Sequence, residues 1–267
     1  MRENHVKRRL MRGKVCVGTM VFEFATSGLP RIAAAAGADF AIFDQEHSGW
    51  TTDVIRMLLA TSRAAESVPL VRVPAAQYNL IAPVLDLGAM GVMVPMVESV
   101  EQAELIVRSV KYPPLGRRGA AFGVAHDDYV ASDVLKKIAS ANDETLVIAQ
   151  IESVAGLENV ERIATVPGVD VVWLGHFDLT NSMGIPAAFT DPRYLAAVQR
   201  IAKAAEQQGK AAGFMASSID EAASMLEKGY RCLAYSGDIW IYGQALRDGI
   251  EGTRRAAVAL SSMVTRR

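Results

Sequence analysis

The sequence has few residues of the kinds that build disulfide frameworks or metal clusters, with two cysteines and four histidines in 267 residues. Cys16 and Cys232 are far apart, and each lies in an apolar stretch, which predicts buried, reduced thiols. No CxxC motif or Cys/His cluster is present, which excludes a zinc site of that type. Reduced thiols are typical of intracellular proteins, and we expect a cytoplasmic location.

The chain also lacks long apolar runs and a strong net charge. No apolar run reaches the ~18 residues that a membrane helix needs, and none follows the basic N-terminal residues as a secretory signal requires. The formal net charge of −1 provides no general attraction for nucleic acid or an anionic membrane. We expect neither partner, and we expect the run Lys7–Arg9 with Arg12 to solvate a helix end rather than bind phosphates.

Apolar residues are abundant, at 51% of the chain, which is enough for a sizeable core. They form short β-branched runs that alternate with longer helical patterns. The predicted strands are Val15–Met20, Phe40–Phe43, Pro69–Val73, Gly91–Pro95, Leu146–Ile151, Val169–Leu174, Ala211–Met215 and Cys232–Ser236. The predicted helices are Leu29–Ala36, Thr52–Ala65, Leu80–Leu87, Val100–Val110, Val154–Thr165, Pro192–Gln208, Ser218–Lys228 and a long helix from Ile239 onward.

This alternation is typical of a parallel sheet with right-handed crossovers, and the strands are apolar on both faces, as buried parallel strands are. Eight units in about 250 residues favour closure into a (β/α)8 barrel of the TIM type. We therefore predict a single barrel domain over residues 1–267. An open doubly wound sheet is the competing topology, but the GxGxxG turn that supports it does not follow the first strand.

One segment, residues 111–142, interrupts the alternation. It begins with the proline- and arginine-containing stretch Tyr112–Gly119 and continues into a helical pattern near Tyr129–Ala141. We interpret it as an elaborated loop that follows the fourth strand. Because long loops on the C-terminal face of a barrel usually shape its site, we expect this segment to border the active site.

Polar side chains gather at the predicted strand ends, where chemistry takes place in a barrel. In chain order they are Asp44, Glu46, His47, Arg72, Gln150, Glu152, His176, Asp178 and Asp238. Since the carboxyl ends of all strands point to one mouth, we expect these side chains to converge there.

Glu152 and Asp178 follow adjacent strands. Two converging carboxylates suit a hard divalent cation such as Mg²⁺ or Mn²⁺, with substrate oxygens and waters as the remaining ligands. The alternative is that each acid caps the helix or turn that follows it. The residues alone leave both interpretations open.

His47 and Arg72 each have a functional and a structural interpretation. A histidine beside acids suits a general base near pH 7, whereas the alternative is an exposed loop residue. An arginine inside a β-branched strand is costly to bury unless it is paired or faces an anion. It therefore either contacts a substrate anion or forms an ion pair inside the barrel.

Several stretches in order resemble the HpcH/HpaI-type class II aldolases, which are metal-dependent, pyruvate-using enzymes on a (β/α)8 barrel of the pyruvate/phosphoenolpyruvate type. The matching stretches are Gly37–His47, Pro69–Pro74, Leu85–Ala89, Val94–Val97, Tyr112–Gly119, Gln150–Glu152, Pro167–Asp170 and Gly175–Leu179. The resemblance extends from about Gly18 to about Asp238. Where the family commonly has Gly-Pro-Ala-Asp-Leu or Gly-Pro-Ser-Asp-Leu, this chain has His176 and Phe177, so two bulky side chains border the pocket.

The resemblance implies a role for each matching residue. Glu152 and Asp178 match metal ligands for Mg²⁺, Mn²⁺ or Co²⁺, and Gln150 matches a residue beside the metal. His47 matches the base, with Asp44 as its acidic partner. Arg72 matches the arginine that contacts the pyruvyl oxygen and the enolate. Phe177 and Asp178 are expected to contact the substrate.

The resemblance also implies an activity and an assembly. The expected activity is that of a carbon–carbon lyase, which cleaves a 4-hydroxy-2-oxo acid reversibly to pyruvate and an aldehyde. The expected assembly is a trimer or hexamer, with the C-terminal helix exchanged between neighbouring barrels. The alternatives are an acyl-CoA ester lyase of a related barrel family and a non-catalytic barrel that binds an oxo acid. A Schiff-base aldolase needs a lysine in the pocket, and none of the eight lysines falls in a predicted strand core.

Overall fold

The computed structural model describes residues 2–264. Eight parallel strands close into a barrel, each paired with its neighbours in chain order and β8 paired with β1. The strands are β1 (Cys16–Val21), β2 (Phe40–Asp44), β3 (Val68–Arg72), β4 (Gly91–Val94), β5 (Leu146–Ile151), β6 (Val171–Leu174), β7 (Ala211–Ala216) and β8 (Tyr230–Gly237). The predicted (β/α)8 barrel is confirmed.

Twelve α-helices surround or flank the strands within the described residues. They are α1 (His5–Met11), α2 (Leu29–Ala35), α3 (Thr52–Ser62), α4 (Tyr78–Asp86), α5 (Val100–Val110), α6 (Val134–Glu144), α7 (Val154–Glu158), α8 (Val160–Thr165), α9 (His176–Ser182), α10 (Pro192–Gln207), α11 (Ile219–Glu227) and α12 (Asp238–Val264). Over residues 2–264, no helix has both the length and the apolar character needed to cross a lipid bilayer. The short helices α1 and α9 lack a clear apolar period, and the sequence did not predict them.

The interior of the barrel is apolar in its lower layers and polar at its mouth. In β3, Val68 and Leu70 belong to the interior cluster, and Arg72 occupies the next inward position. The same order holds in β2, which ends at Asp44, and in β5, where Gln150 follows two buried apolar residues. Because side chains alternate with a period of two, a buried polar residue at the end of such a strand points into the mouth of the barrel.

Helix α1 closes the barrel at the amino ends of the strands. Val6 and Leu10 join the interior cluster. Lys7 is only 7% exposed, and its Nζ lies 3.2 Å from Asp170 Oδ1 and donates to the carbonyl oxygen of Thr145. The prediction that the basic run solvates a helix end is wrong for Lys7, because this side chain is buried against the loops that enter β5 and β6.

Residues 111–142 lie at this same end of the barrel. They follow α5 and precede β5, so they connect a helix to a strand and lie opposite the mouth. Lys111 Nζ donates to the carbonyl oxygens of Asn142 and Thr145, immediately before β5. The expectation that this segment borders the active site is therefore wrong. The fourth strand–helix unit ends with α5 at Val110, so the segment that follows leads from a helix to the next strand. The composition of the segment does not indicate at which end of the barrel it lies.

The two cysteines occupy paired positions on adjacent strands. Cys16 of β1 and Cys232 of β8 are register partners, and both are buried and free. Burial raises the pKa of the Cys16 thiol to about 11 and raises that of Cys232 as well. The prediction of buried, reduced thiols is confirmed, and both thiols are held in the unreactive protonated form.

Lys111 makes the stability of the fold depend on pH. Burial lowers the pKa of its ammonium to about 7, and the charge of Lys7 acts in the same direction. Because this pKa is near 10.5 in the unfolded chain, the unfolded state binds more protons between pH 7 and 10.5. We expect the free energy of unfolding to rise with pH across this window, by about 1 kcal/mol per pH unit from this group.

Urea denaturation at several pH values within this window measures the effect. Lys111→Met is expected to flatten the rise, while Lys14→Met, at an exposed lysine, is expected to leave it unchanged. If the free energy of unfolding rose equally with pH in wild type and Lys111→Met, Lys111 would not be the source of the pH dependence.

Candidate active site

A pocket of about 800 Å³ opens at the carboxyl ends of the strands. Its walls come from the ends of β3, β5 and β8, the β6–α9 junction and the first turns of α12. The residues singled out from the sequence that line it are His47, Arg72, Gln150, Glu152, His176, Phe177 and Asp178. Asp44 is fully buried behind Arg72 and does not line the pocket. Trp50, which follows the His47 loop, packs against the core and does not line the pocket.

A buried ion pair joins β2 and β3 beneath the pocket. Asp44 and Arg72 are register partners on these strands, and Arg72 Nε lies 2.5 Å from Asp44 Oδ1. Arg72 Nη1 also lies 3.3 Å from Glu46 Oε2. Two acids thus compensate the buried guanidinium on one side, and its other side lines the pocket. The ion-pair interpretation of Arg72 is confirmed, while contact with a substrate anion stays a prediction for a residue that lines the pocket.

The Asp44 carboxylate also orders the loop that follows β2. It accepts hydrogen bonds from the backbone amides of Glu46 (3.1 Å) and His47 (2.7 Å). The carboxylate within ion-pair distance of the His47 ring is that of Glu46, with 3.7 Å between Nε2 and Oε2. The prediction that Asp44 holds the imidazole is therefore wrong in its geometry. Asp44 fixes the backbone of His47, and the ring itself is more than half exposed at the pocket.

Phe22, which follows β1, lies against Arg72. The guanidinium carbon lies 5.6 Å from the centre of the Phe22 ring, within range of a cation–π interaction. Asp238 fixes this loop, because its carboxylate accepts hydrogen bonds from the backbone amides of Phe22, Glu23 and Phe24. The sequence indicated Asp238 only as a strand-end acid and gave no role to Phe22, although an aromatic residue at a strand end was a usable signal.

Glu152 is held by two hydrogen bonds and is only 2% exposed. The backbone amide of Met96 donates to Oε1 at 2.7 Å, and Gln150 Nε2 donates to Oε2. Met96 has a φ of 52°, a left-handed conformation that aims its amide at Glu152. Burial raises the pKa of Glu152 to about 7, and the charges of Glu46 and Asp178 raise it further.

Gly175 has no side chain, and this leaves room for the Glu152 carboxylate. A Cβ atom at this position would lie 2.4 Å from Glu152 Oε2 and 2.7 Å from its Cβ. A larger residue would therefore displace the carboxylate, so the small residue at the N-cap of α9 sets the position of the acid.

The pocket carries an excess of negative charge. Burial raises the pKa of Glu46 to about 7, and Asp44 and Asp178 raise it as well, while Arg72 opposes them. Glu46 Oε2 is buried without a hydrogen-bond partner among the described residues. Such a group of acids suits a bound cation. Across residues 2–264, no set of three or more His, Cys, Asp or Glu side chains is arranged to hold a metal ion, so substrate or water would have to complete a coordination sphere.

His176 and Phe177 form part of an aromatic cluster at the first turn of α9. The His176 ring packs against Phe177, Phe189 and Phe214 with centroids 4.7 to 5.4 Å apart. Burial lowers the pKa of His176, which keeps its ring neutral at pH 7. Phe177 is 54% exposed and lines the pocket, and Phe189 braces it edge-on at 5.1 Å. The two bulky residues therefore do border the pocket.

Removal of the Asp44 carboxylate would leave the Arg72 guanidinium buried with only Glu46 nearby. We expect Asp44→Ala to lower the free energy of unfolding by about 3 kcal/mol, the usual consequence of breaking a buried ion pair. The matched control is Asp53→Ala, at an acid whose side chain is 93% exposed, with an expected loss below about 0.5 kcal/mol. Chemical denaturation measures both, and equal losses would contradict a buried pair.

Comparisons with known proteins identify relatives of this chain. The family model of HpcH/HpaI aldolase/citrate lyase matches residues 20–242. A 2-keto-3-deoxy-L-rhamnonate aldolase of Klebsiella pneumoniae is 35% identical and aligns over 91% of this chain and 90% of its own. A hydroxypyruvate/pyruvate aldolase of Roseobacter denitrificans is 33% identical over 88% and 91%. The crystal structure of an HpcH/HpaI aldolase from Desulfitobacterium hafniense superposes with a TM-score of 0.89 at 33% identity, covering 93% of this chain and 96% of that one.

Proposed function

The chain belongs to the HpcH/HpaI aldolase/citrate lyase family, and from this premise we propose that it is an aldolase that cleaves 4-hydroxy-2-oxo acids reversibly to pyruvate and an aldehyde. The observation that carries the proposal is the Arg72 guanidinium, which lines the same pocket as the carboxylates of Glu152 and Asp178. This arrangement offers a fixed cation for an oxo-acid substrate beside acids that suit a metal ion. Two relatives bear the names of aldolases.

We further propose that a divalent cation, Mg²⁺, Mn²⁺ or Co²⁺, binds to Glu152 and Asp178. The residues fit such an ion because the acids are oxygen ligands whose charges raise the pKa of Glu152. Gln150 orients Glu152, and the Met96 amide fixes its other oxygen. When bound, the ion would supply positive charge that stabilises the enolate formed from the oxo acid.

Side chains of this protein carry out proton transfer, stabilisation of the enolate and positioning. In cleavage, the C4 hydroxyl loses its proton to His47, the C3–C4 bond breaks, and the electron pair remains on the pyruvate fragment as its enolate. Arg72 donates to the enolate oxygen and stabilises its charge. Asp44 keeps Arg72 and the His47 backbone in place. In synthesis, His47 removes a proton from the pyruvate methyl group instead.

The lining of the pocket favours this mechanism over a Schiff base. A Schiff-base aldolase requires a lysine whose amine reaches the substrate carbonyl. Among the described residues that line the pocket there is no lysine. Borohydride reduction in the presence of pyruvate is expected to leave the protein unmodified, and a pyruvyl adduct would overturn the enolate mechanism.

The proposed function is tested with the full-length protein and a panel of 4-hydroxy-2-oxo acids, with pyruvate release as the readout. We expect activity to be lost on treatment with EDTA and restored by Mg²⁺, Mn²⁺ or Co²⁺, because the acid pair alone leaves the enolate unstabilised. Glu152→Gln should not recover activity at the same metal concentrations. Unchanged turnover after exhaustive chelation would contradict the role of the metal, and absence of pyruvate release from every acid would contradict the function.

Arg72 is the residue whose loss should affect turnover most directly. One well-placed electrostatic donor contributes about 3–4 kcal/mol to a transition state, so Arg72→Ala is expected to reduce kcat by roughly two to three orders of magnitude. Arg72→Lys keeps the charge but not the fork that contacts Asp44 and Glu46, and we expect an intermediate kcat. Circular dichroism establishes that each variant is folded. A folded Arg72→Ala protein with near-normal kcat would refute the assignment.

We also propose that the protein forms a homo-oligomer, a trimer or hexamer, in the cytoplasm. Support for association comes from α12, whose apolar side chains Leu246, Ile250 and Val258 lie outside the pocket lining and are each more than 40% exposed. Apolar residues along a protruding helix suit burial against another subunit. Analytical ultracentrifugation distinguishes a monomer from these assemblies.

A further inference from the structure

The walls of the pocket also indicate what kind of aldehyde it takes. We propose that the aldehyde partner is uncharged and carries an aromatic or bulky apolar group, an inference that rests on the aldolase function proposed above. It follows from the charges, the exposed rings and the size of the pocket beyond the Arg72–Glu152 region.

The charges in the pocket exclude an acidic aldehyde as the preferred partner. Arg72 is the one lysine or arginine among the described residues that line the pocket. It is engaged by Asp44 and Glu46, and its free side serves the oxo-acid fragment. Asp248 adds a further carboxylate on α12. A second carboxylate on the substrate would therefore meet acids without a cation to pair with, which disfavours its transfer from water.

Two aromatic rings offer an apolar surface at the mouth. Phe177 is 54% exposed and Trp240 is 49% exposed, and both line the pocket. Each ring is braced from the side, Phe177 by Phe189 at 5.1 Å and Trp240 by Phe22 at 5.0 Å. Because these contacts fix the rings before binding, stacking of a substrate group on them requires little further ordering.

The pocket has room for such a group. Its volume of about 800 Å³ lies in the range of sites for drug-sized ligands, roughly 300–1,000 Å³. With the proposed role of Arg72 and Glu152, pyruvate would fill only the part of the pocket next to these two side chains. The remainder extends along α12, where Ile241 and Ala245 add apolar lining. A small polar aldehyde would leave this surface wet, whereas an aromatic aldehyde would displace the water from it.

The experiment measures kcat/KM for addition of pyruvate to three aldehydes by the full-length enzyme in the presence of Mn²⁺. Benzaldehyde represents the aromatic class, glycolaldehyde a small uncharged class and succinic semialdehyde an acidic class. We expect kcat/KM for benzaldehyde to exceed the value for succinic semialdehyde by about tenfold or more, and the value for glycolaldehyde to fall between them.

Substitutions of the two aromatic residues test whether these pocket walls contribute to the choice of aldehyde. Phe177→Ala and Trp240→Ala are each expected to lower kcat/KM for benzaldehyde by about tenfold, and to lower it by a larger factor than the value for glycolaldehyde; equal losses for the two aldehydes would contradict a role of these rings in aldehyde choice. Tyr242→Ala is the matched control, because Tyr242 is a 56% exposed aromatic residue on the same helix as Trp240 but packs on Phe24 outside the pocket. It should leave all three values unchanged.

Charge reversal provides a gain-of-function test. Asp248→Arg places a cation at the outer end of the pocket, and we expect it to raise kcat/KM for succinic semialdehyde by about tenfold while leaving benzaldehyde within about twofold. A rise of equal size for all three aldehydes would show that charge at this position does not discriminate among them and would overturn the charge argument.

Exchange of the pyruvate methyl protons in D2O separates failure of this proposal from failure of the aldolase function. Exchange that depends on Mn²⁺ and Arg72, together with a kcat/KM for succinic semialdehyde equal to or above that for benzaldehyde, would overturn the aldehyde class and leave the aldolase function standing. Absence of both exchange and addition with every aldehyde would overturn the two together.

Discussion

The buried ion pair between Asp44 and Arg72 is the interaction on which the mouth of the barrel depends. Parallel register places the two side chains opposite each other on β2 and β3, and each would be strongly unfavourable there without the other. The Asp44 carboxylate also holds the backbone of His47, while Phe22 covers the guanidinium. The pair thus orders the loop after β2 and contacts Phe22 in the loop after β1, so the fold and the site share one constraint.

Glu152 is held in a different way, by a backbone amide and the side-chain amide of Gln150 rather than by a cation. Glu152 accepts from the Met96 amide, and its space exists only because Gly175 has no side chain. Burial raises the pKa values of Glu46 and Glu152 to about 7, and for Glu46 it does so although Arg72 Nη1 lies 3.3 Å from its carboxylate. Arg72, in contrast, is compensated by the carboxylates of Asp44 and Glu46.

The sequence predicted the barrel and the converging side chains because both depend on periodicity. A polar residue such as Arg72 or Gln150 inside an apolar strand must point into the mouth, and this can be inferred without coordinates. The left-handed conformation of Met96 could not be inferred, since it depends on backbone geometry that leaves no signal in composition. Residues 111–142 were placed at the wrong end for a related reason: composition reveals a long connection but not which ends it joins.

The turn at the start of α9 explains how substrate choice can change without disturbing the proposed catalytic groups. Gly175 faces Glu152, where no Cβ atom fits, so this position is closed to variation. The next two side chains, His176 and Phe177, pack instead with Phe189. Replacement of Phe177 therefore alters the apolar wall and leaves the acid in place. The constraint on Glu152 and the freedom at Phe177 lie only two residues apart, because the helix turns one position toward the carboxylate and the other toward the mouth.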